Sequence, residues 1–566
     1  MMRSFWLFMF FLLSAQLSFG QTENTNAVQI IEQRGEVYFS FIYPLNNSVN
    51  QFSKILSIDK VEANRQIFAY ANANEFQKFL EYGIPYQLEK DAYALTNPQM
   101  ATSMAAFMQS WDTYPTYEQY DSLMHKLAND YPDLCRFHSL GTLSSGRQIL
   151  ALQLGDSANV HQKEARFFYT SSMHGNELTS YVLMLQFADY LLSNYGQNAV
   201  VDSIMNNVEI WINPLANPDG AYYLGNNTLS GAKRYNDNLV DLNRNFPDPN
   251  KGPHPDGNSW QTETQIFMDF SDSMHFTMSA NFHGGAEVMN YPWDTWSKLP
   301  ADNAWWLYVC HQYADTAQAY SWLNYFIGPL AANGTGVVNG YQWYPVYGGR
   351  QDYMNYFHGC REVTVEISTD KIPAGSSLPV YWNANYRSML SYLNQVRYGI
   401  SGVVTDSISG KPLAAKVFVN SHDIDSSHIR TNLPYGDYYR LIDVGTYSIT
   451  YSAPHYYSKT ITVNVQRDNL IKLDVALLPD YTSLYEPSAL DFSIFPNPVS
   501  HMLYITSETP IKELRIVSVE GRLIKEWSIT ESDNLQLDIS SIQKGVYILQ
   551  IIGSDGNMGY KKLIIQ

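Results

Sequence analysis

RFFYTSSMHGNELTSYVLMLQFADYLL, residues 166–192, decides the reading of this chain. Its first part, RFFYTSSM (166–173), is an apolar, aromatic run of the kind that forms a buried strand. The run stops at His174-Gly175. From Leu178 the apolar residues recur at helical spacing through LTSYVLMLQFADYLL (178–192). His174 and Glu177 therefore lie on a strand-to-helix turn, where both can face one point. A second strand-like run, MSANF (278–282), ends at His283, and Gly284-Gly285 lets the backbone pass close by. Two imidazoles and one carboxylate are the three protein ligands expected of a catalytic zinc, with a position left for water. A structural zinc is usually closed by four ligands and leans on cysteine. None of the three cysteines here lies near these residues. The set points to chemistry on a metal-bound water.

Outward from this turn, strand-like and helical runs alternate. RQILALQLG (147–155), ARFFYTS (165–171), the helical stretch 178–192, VEIWINP (208–214), MSANFHG (278–284) and VTVEIS (363–368) give an α/β pattern, with the motifs where strands end. Six motifs follow one another: HGNE (174–177), NPDG (217–220), KRYNDNLVDLNRNFPD (233–248), HGGAEVMNYPWD (283–294), QWYPVYGGRQDY (342–353) and REVTVEIS (361–368). Through them, residues 115–397 resemble the zinc carboxypeptidases of the pancreatic carboxypeptidase A/B superfamily, closest to the carboxypeptidase E/N/D branch. The resemblance implies a mixed central sheet flanked by helices and one Zn2+ held by His174, Glu177 and His283. It also implies removal of C-terminal residues from peptides or proteins by attack of a zinc-bound water.

The resemblance assigns further roles. Arg244 and Asn243 match the clamp for a free C-terminal carboxylate, a task suited to a bidentate guanidinium. Arg234 matches the arginine that polarises the scissile carbonyl. Glu366 matches the general base, with Glu362, on the same face of the strand, as its rival. Tyr344 matches the tyrosine that closes over the bound residue. Asp294 and Gln351 match pocket-lining positions that select C-terminal Lys or Arg. Arg350 departs from the branch, and a cation in the pocket would repel basic side chains or neutralise Asp294. Two other functions share parts of this pattern: a zinc deacylase of small N-acyl amino acids, and a non-catalytic surface protein retaining the fold. The intact clamp speaks against the first, and the intact ligands and Glu366 against the second.

At 566 residues the chain exceeds one core, and three or four domains are expected. A net charge of −18 argues against nucleic acid as a partner, because phosphate binding needs a basic face. Residues 1–20, with Arg3 before FWLFMFFLLSAQL (5–17), read as a secretory signal peptide, and no later run suits a transmembrane segment. Cys135, Cys310 and Cys360 make no disulfide framework, although Cys310 could pair with Cys360.

The remaining segments read as separate modules. Residues 21–110 form a small α+β segment resembling the pro-regions or accessory domains of secreted metallocarboxypeptidases. It includes a strand in VYFSFIYP (37–44), a helix capped by Asn74 with Phe76, Phe79 and Leu80 on its apolar stripe, and a linker over 93–110. The catalytic domain occupies 111–397. Residues 398–480 resemble the transthyretin-like β-sandwich of the E/N/D branch. Residues 490–566, with FPNP near the start and GVY later, resemble the C-terminal sorting domain of type IX secretion substrates in Bacteroidetes. That resemblance implies the type IX machinery as partner and a secreted or cell-surface protein exported through the periplasm.

Overall fold

The computed structural model describes residues 26–90, 97–156, 158, 163–480, 490–519, 522–555 and 557–566. The expected signal peptide lies outside them. Strands β1 (Val37–Ile42), β2 (Ser57–Val61), β3 (Gln66–Ala71) and β4 (Tyr86–Leu88) form an antiparallel sheet in the order β2-β3-β1-β4. Helix α1 (Ala73–Leu80) lies in the same domain. Asn72, not Asn74, caps it: Asn72 Oδ1 accepts from the Glu75 N–H, and Glu75 Oε2 accepts from the Asn72 N–H. Phe39, Phe41, Phe52, Phe76 and Phe79 fill this small core. Of the expected linker, residues 93–96 lie outside the described residues. Its second half is the helix Met104–Ser110, whose Phe107 packs into the core of the following domain.

That domain is built on an eight-stranded mixed sheet. Its strands are β5 (Cys135–Thr142), β6 (Gln148–Leu154), β7 (Ala165–Ser171), β8 (Val208–Asn213), β9 (Met278–His283), β10 (Ala286–Tyr291), β11 (Val337–Asn339) and β12 (Arg361–Ser368), in the order β11-β10-β12-β9-β7-β8-β6-β5. Strands β8, β7, β9 and β12 run parallel, so their carboxyl ends gather on one edge. Alternation along β12 divides two faces. Val363, Val365 and Ile367 enter the large core, which also takes the buried stripe of α2 (Thr179–Asn194). On the opposite face, Phe168 and Cys360 pack with Phe267 of α3 (Thr262–Met274) and Met354 of α4 (Arg350–His358). The functional side chains occupy the rim of this second face. The expected mixed α/β sheet is the one found.

Residues 399–477 form two four-stranded sheets. A buried ion cluster joins them to the catalytic domain: Asp302 accepts from Arg361 at 2.7 Å and from Arg440 at 3.0 Å, and Arg440 also reaches Asp423 at 2.6 Å. The described residues of the last unit, within 479–566 with 455–457, include a five-stranded sheet around Leu503, Leu514, Leu549 and Leu563 and no helix. Cys135, Cys310 and Cys360 are all free and buried, so Cys310 and Cys360 form no bridge. Among the described residues, no helix is long and apolar enough to cross a membrane.

Candidate active site

His174 and Glu177 lie just beyond the end of β7, and His283 ends the neighbouring β9. His174 Nδ1, His283 Nδ1 and Glu177 Oε2 converge to 2.9–3.0 Å from one another. Asp241 Oδ1 lies 3.0 Å from His174 Nε2 and holds the ring proton there, leaving a lone pair on Nδ1. The Asn281 carboxamide, 2.9 Å from His283 Nε2, does the same when its oxygen faces the ring. Burial lowers His283 to about 4, so its imidazole is neutral. Burial alone would raise Glu177, but the charges of His174 and Lys371 and its hydrogen bonds hold it well below the usual carboxylate range. Three electron-rich atoms facing one point repel unless a cation lies between them. The donor set therefore fits a divalent metal with nitrogen and oxygen ligands.

Glu366 is the register partner of His283 on adjacent β12. Its Oε2 is buried and has no protein partner. Burial, then the nearby Glu177 charge, raises it well above the ordinary carboxylate value. Glu362, the rival base, is taken: its Oε2 accepts from Arg350 Nη2 at 2.7 Å and from Ser279 Oγ at 2.6 Å. This also removes the expected conflict in the pocket. Arg350 turns away from Asp294 and packs over Phe168 and Phe267.

Arg244 donates through Nη1 to the Asn243 carbonyl, while its buried Nε and Nη2 have no partner. Asn243 Oδ1 accepts from the Arg350 N–H, which leaves the amide Nδ2 for a ligand. Asp294 is buried in the same cavity, held by Asn290 Nδ2 at 3.2 Å. Burial raises its carboxyl to about 7. Gln351 Oε1 accepts from the Thr364 N–H and its Nε2 has no partner.

The N-terminal domain reaches into this site. Ser57 Oγ accepts from Arg234 Nε at 2.7 Å and hydrogen-bonds Asp241. Tyr344 donates to the Ile58 carbonyl at 3.4 Å and packs on the N-terminal core. Asp59 pairs with Lys371 at 2.6 Å. The enclosed space is about 30 Å3, room for little more than a water molecule.

Residues 120–388 match the family model described as zinc carboxypeptidase. The chain is 33% identical over 375 residues to carboxypeptidase SOL1 of Arabidopsis thaliana, across 65% of this chain and 73% of that one. The chain belongs to the zinc carboxypeptidase family. Further relatives are the mouse carboxypeptidase N catalytic chain, 34% identical over 62% of this chain and 83% of that one, and rat carboxypeptidase D, 32% identical over 63% of this chain. The match spans 26%, about a quarter, of the length of carboxypeptidase D. Residues 493–566 match a secretion system C-terminal sorting domain.

In this carboxypeptidase-family chain, His174, Glu177, Arg234, Asn243, Arg244, His283, Asp294, Tyr344 and Glu366 line one cavity, while Gln351, Glu362 and Arg350 do not. Sequence reasoning missed Asp241, Asn281 and Lys371, and the insertion of Ser57, Ile58 and Asp59. Asp241 stands inside the motif KRYNDNLVDLNRNFPD (233–248) and was there to be read. Lys371 follows β12 in a loop with no periodic signal.

Proposed function

We propose that this chain is an exported zinc-dependent carboxypeptidase that removes C-terminal Lys or Arg and is latent while its N-terminal domain is attached. The observation that carries the reading is a buried guanidinium, Arg244, with two unpartnered donors in the cavity that also holds Glu366 and the His174, Glu177, His283 cluster. One Zn2+ on that cluster would supply Lewis-acid polarisation and lower the pKa of a water. Arg244 and Asn243 bind the terminal carboxylate and so fix which peptide bond is presented. Arg234 provides positive charge for the carbonyl oxygen, and its Nε donates to Ser57 Oγ while the N-terminal domain is attached. Glu366 Oε2 accepts a proton from water and returns it to the leaving amine. Asp294 receives the basic side chain, with Gln351 beside it, and Tyr344 closes over the bound residue once freed from Ile58. The clamp favours this reading over a deacylase of N-acyl amino acids, and the intact constellation favours it over a non-catalytic protein.

The domain limits 21–110, 111–397, 398–480 and 490–566 complete the proposal, with the paired sheets of 399–477 read as a transthyretin-like sandwich. The final sandwich-like domain directs export through the periplasm by the type IX machinery, after a signal peptide at 1–20. Deleting residues 490–566 should retain folded enzyme in the periplasm, and normal export of the shortened chain would reject that role.

One experiment tests the activity and the latency together. A protease site is placed after Lys90, and intact and cut chains are given peptides ending in free or amidated arginine. Cutting should raise hydrolysis of the free peptide. Amidation should remove about 2–5 kcal/mol of binding, the cost of breaking one side of a desolvated charge pair. Equal rates on both peptides would reject the carboxylate clamp, and equal rates before and after cutting would reject the latency.

A further inference from the structure

Lys371 is a buried ammonium with 1% of its side chain exposed, and two carboxylates hold it. Nζ lies 2.8 Å from Glu177 Oε1 and 2.6 Å from Asp59 Oδ1. Glu177 belongs to the His174, His283 cluster and also takes Arg234 Nη1 at 3.3 Å, so its charge is shared. Asp59 is therefore the anion most fully committed to Lys371. Its second oxygen accepts from Tyr38 at 3.0 Å, and the Tyr70 ring lies 5.4 Å from Nζ. Asp59, Tyr38 and Tyr70 all belong to the N-terminal domain. Its release takes the Asp59 carboxylate and the Tyr70 ring away from Nζ and leaves Glu177, among the described residues, as the one anion in contact with it.

The place vacated lies on a defined part of the substrate path. On the carboxypeptidase reading, the terminal carboxylate goes to Arg244 and Asn243, the last side chain to Asp294, and the scissile carbonyl to Arg234 beside His174, Glu177 and His283. Gly284 and Gly285 line the same cavity, where the residue before the C-terminal one would lie. A side-chain carbon built on Gly285 would meet Lys371 Cε at 3.2 Å and Asp59 Oδ1 at 3.6 Å. The carboxylate of Asp59 thus stands beside Gly285 on the wall of the cavity.

We infer that Lys371, beside Gly285, forms a subsite for the carboxylate of an acidic residue immediately before the C-terminal residue of the substrate. This rests on the carboxypeptidase reading and adds a second specificity determinant to it. Asp59 is the intramolecular occupant of the subsite in the latent chain. A neutral penultimate residue leaves Nζ without its second anion, so acidic peptides bind and turn over better.

The test uses the chain cut after Lys90 with both pieces present and diluted. Peptides ending in Asp-Arg and Asn-Arg, and in Glu-Arg and Gln-Arg, differ within each pair only by charge. The acidic member should show about tenfold higher kcat/KM, as expected for a close charge pair in a desolvated site. Binding of the same peptides to the Glu366→Gln form, read by fluorescence anisotropy, should show the same ratio. Lys371→Met should equalise each pair, and Lys371→Arg should keep the preference. In the intact chain, Asp59→Asn should raise hydrolysis by weakening the hold of the N-terminal domain. Equal values within both pairs for the wild-type chain would overturn the subsite while leaving C-terminal cleavage in place. An acidic preference in binding without hydrolysis of any peptide would support the subsite and overturn the carboxypeptidase reading.

Discussion

Glu362 and Glu366 stand on one strand and one face, yet they live in opposite surroundings. Glu362 is wholly buried and engaged by Arg350 and Ser279. Glu366 has a buried oxygen with no protein partner, beside His283 of the His174, Glu177, His283 group. The first is an ion pair that fastens α4 to the sheet. The second is a carboxyl kept proton-hungry by burial and by a neighbouring carboxylate, the condition expected of a general base. What separates structure from chemistry is the partner that the surrounding elements bring, not residue type or strand position.

The sharpest way to break this comparison is to neutralise each glutamate. Glu366→Gln should lower kcat of the cut enzyme by about 10³–10⁴-fold while metal content and thermal midpoint stay unchanged. Near-normal turnover would return the base role to Glu362. Glu362→Gln should do the reverse. It leaves Arg350 buried without its anion, a loss on the order of 3–5 kcal/mol of stability, with kcat of the remaining folded enzyme retained. Denaturant unfolding measures this, and a variant as stable as wild type would show that the pair holds nothing.

Asp294 sharpens the comparison from the substrate side. Like Glu366, it is a buried carboxylate without a basic partner, raised to about 7. A C-terminal Arg or Lys would supply that partner. Asp294→Ala should reduce kcat/KM for peptides ending in Arg by about 10–100-fold and change peptides ending in Phe little, as truncating one side of a desolvated pair predicts. Preference of the wild-type enzyme for Phe or Glu would remove the basic-residue assignment.

Glu75 gives the smallest effect and tests the same principle at the joint with the N-terminal domain. Its Oε2 accepts from Tyr235 and from the Asn72 N–H, and burial raises it to about 7. Released, it returns to about 4.3. A carboxyl raised in the docked state favours docking fully below its free pKa. That contribution declines as pH rises and is gone once pH passes about 7. The N-terminal piece of the cut chain should therefore dissociate more readily at pH 8 than at pH 5.5, and Glu75→Gln should flatten the difference. An unchanged profile in that variant would place the pH dependence elsewhere.

The sequence by itself determined the ligand set and the sheet. His174 and Glu177 sit on a turn fixed by a change from strand to helical periodicity, and His283 follows a second apolar strand. These are local patterns, so they survive in one dimension. The motif order carried Arg244, Asn243, Arg234 and Asp294 to one site for the same reason. The cap of α1 was misplaced at Asn74 because both asparagines precede the apolar stripe, and only Asn72 lies three residues before Glu75 to complete the reciprocal bonds.

Only the tertiary structure decided the rest. The direction of Arg350 depends on Glu362 across a helix–strand contact. The choice between the two glutamates depends on which one Ser279 and Arg350 reach. The filling of the site by Ser57, Ile58 and Asp59 joins segments far apart in the chain. Such pairings are set by the packing of whole elements, where a buried charge takes the nearest available counter-charge. No spacing or periodicity along the chain encodes that distance.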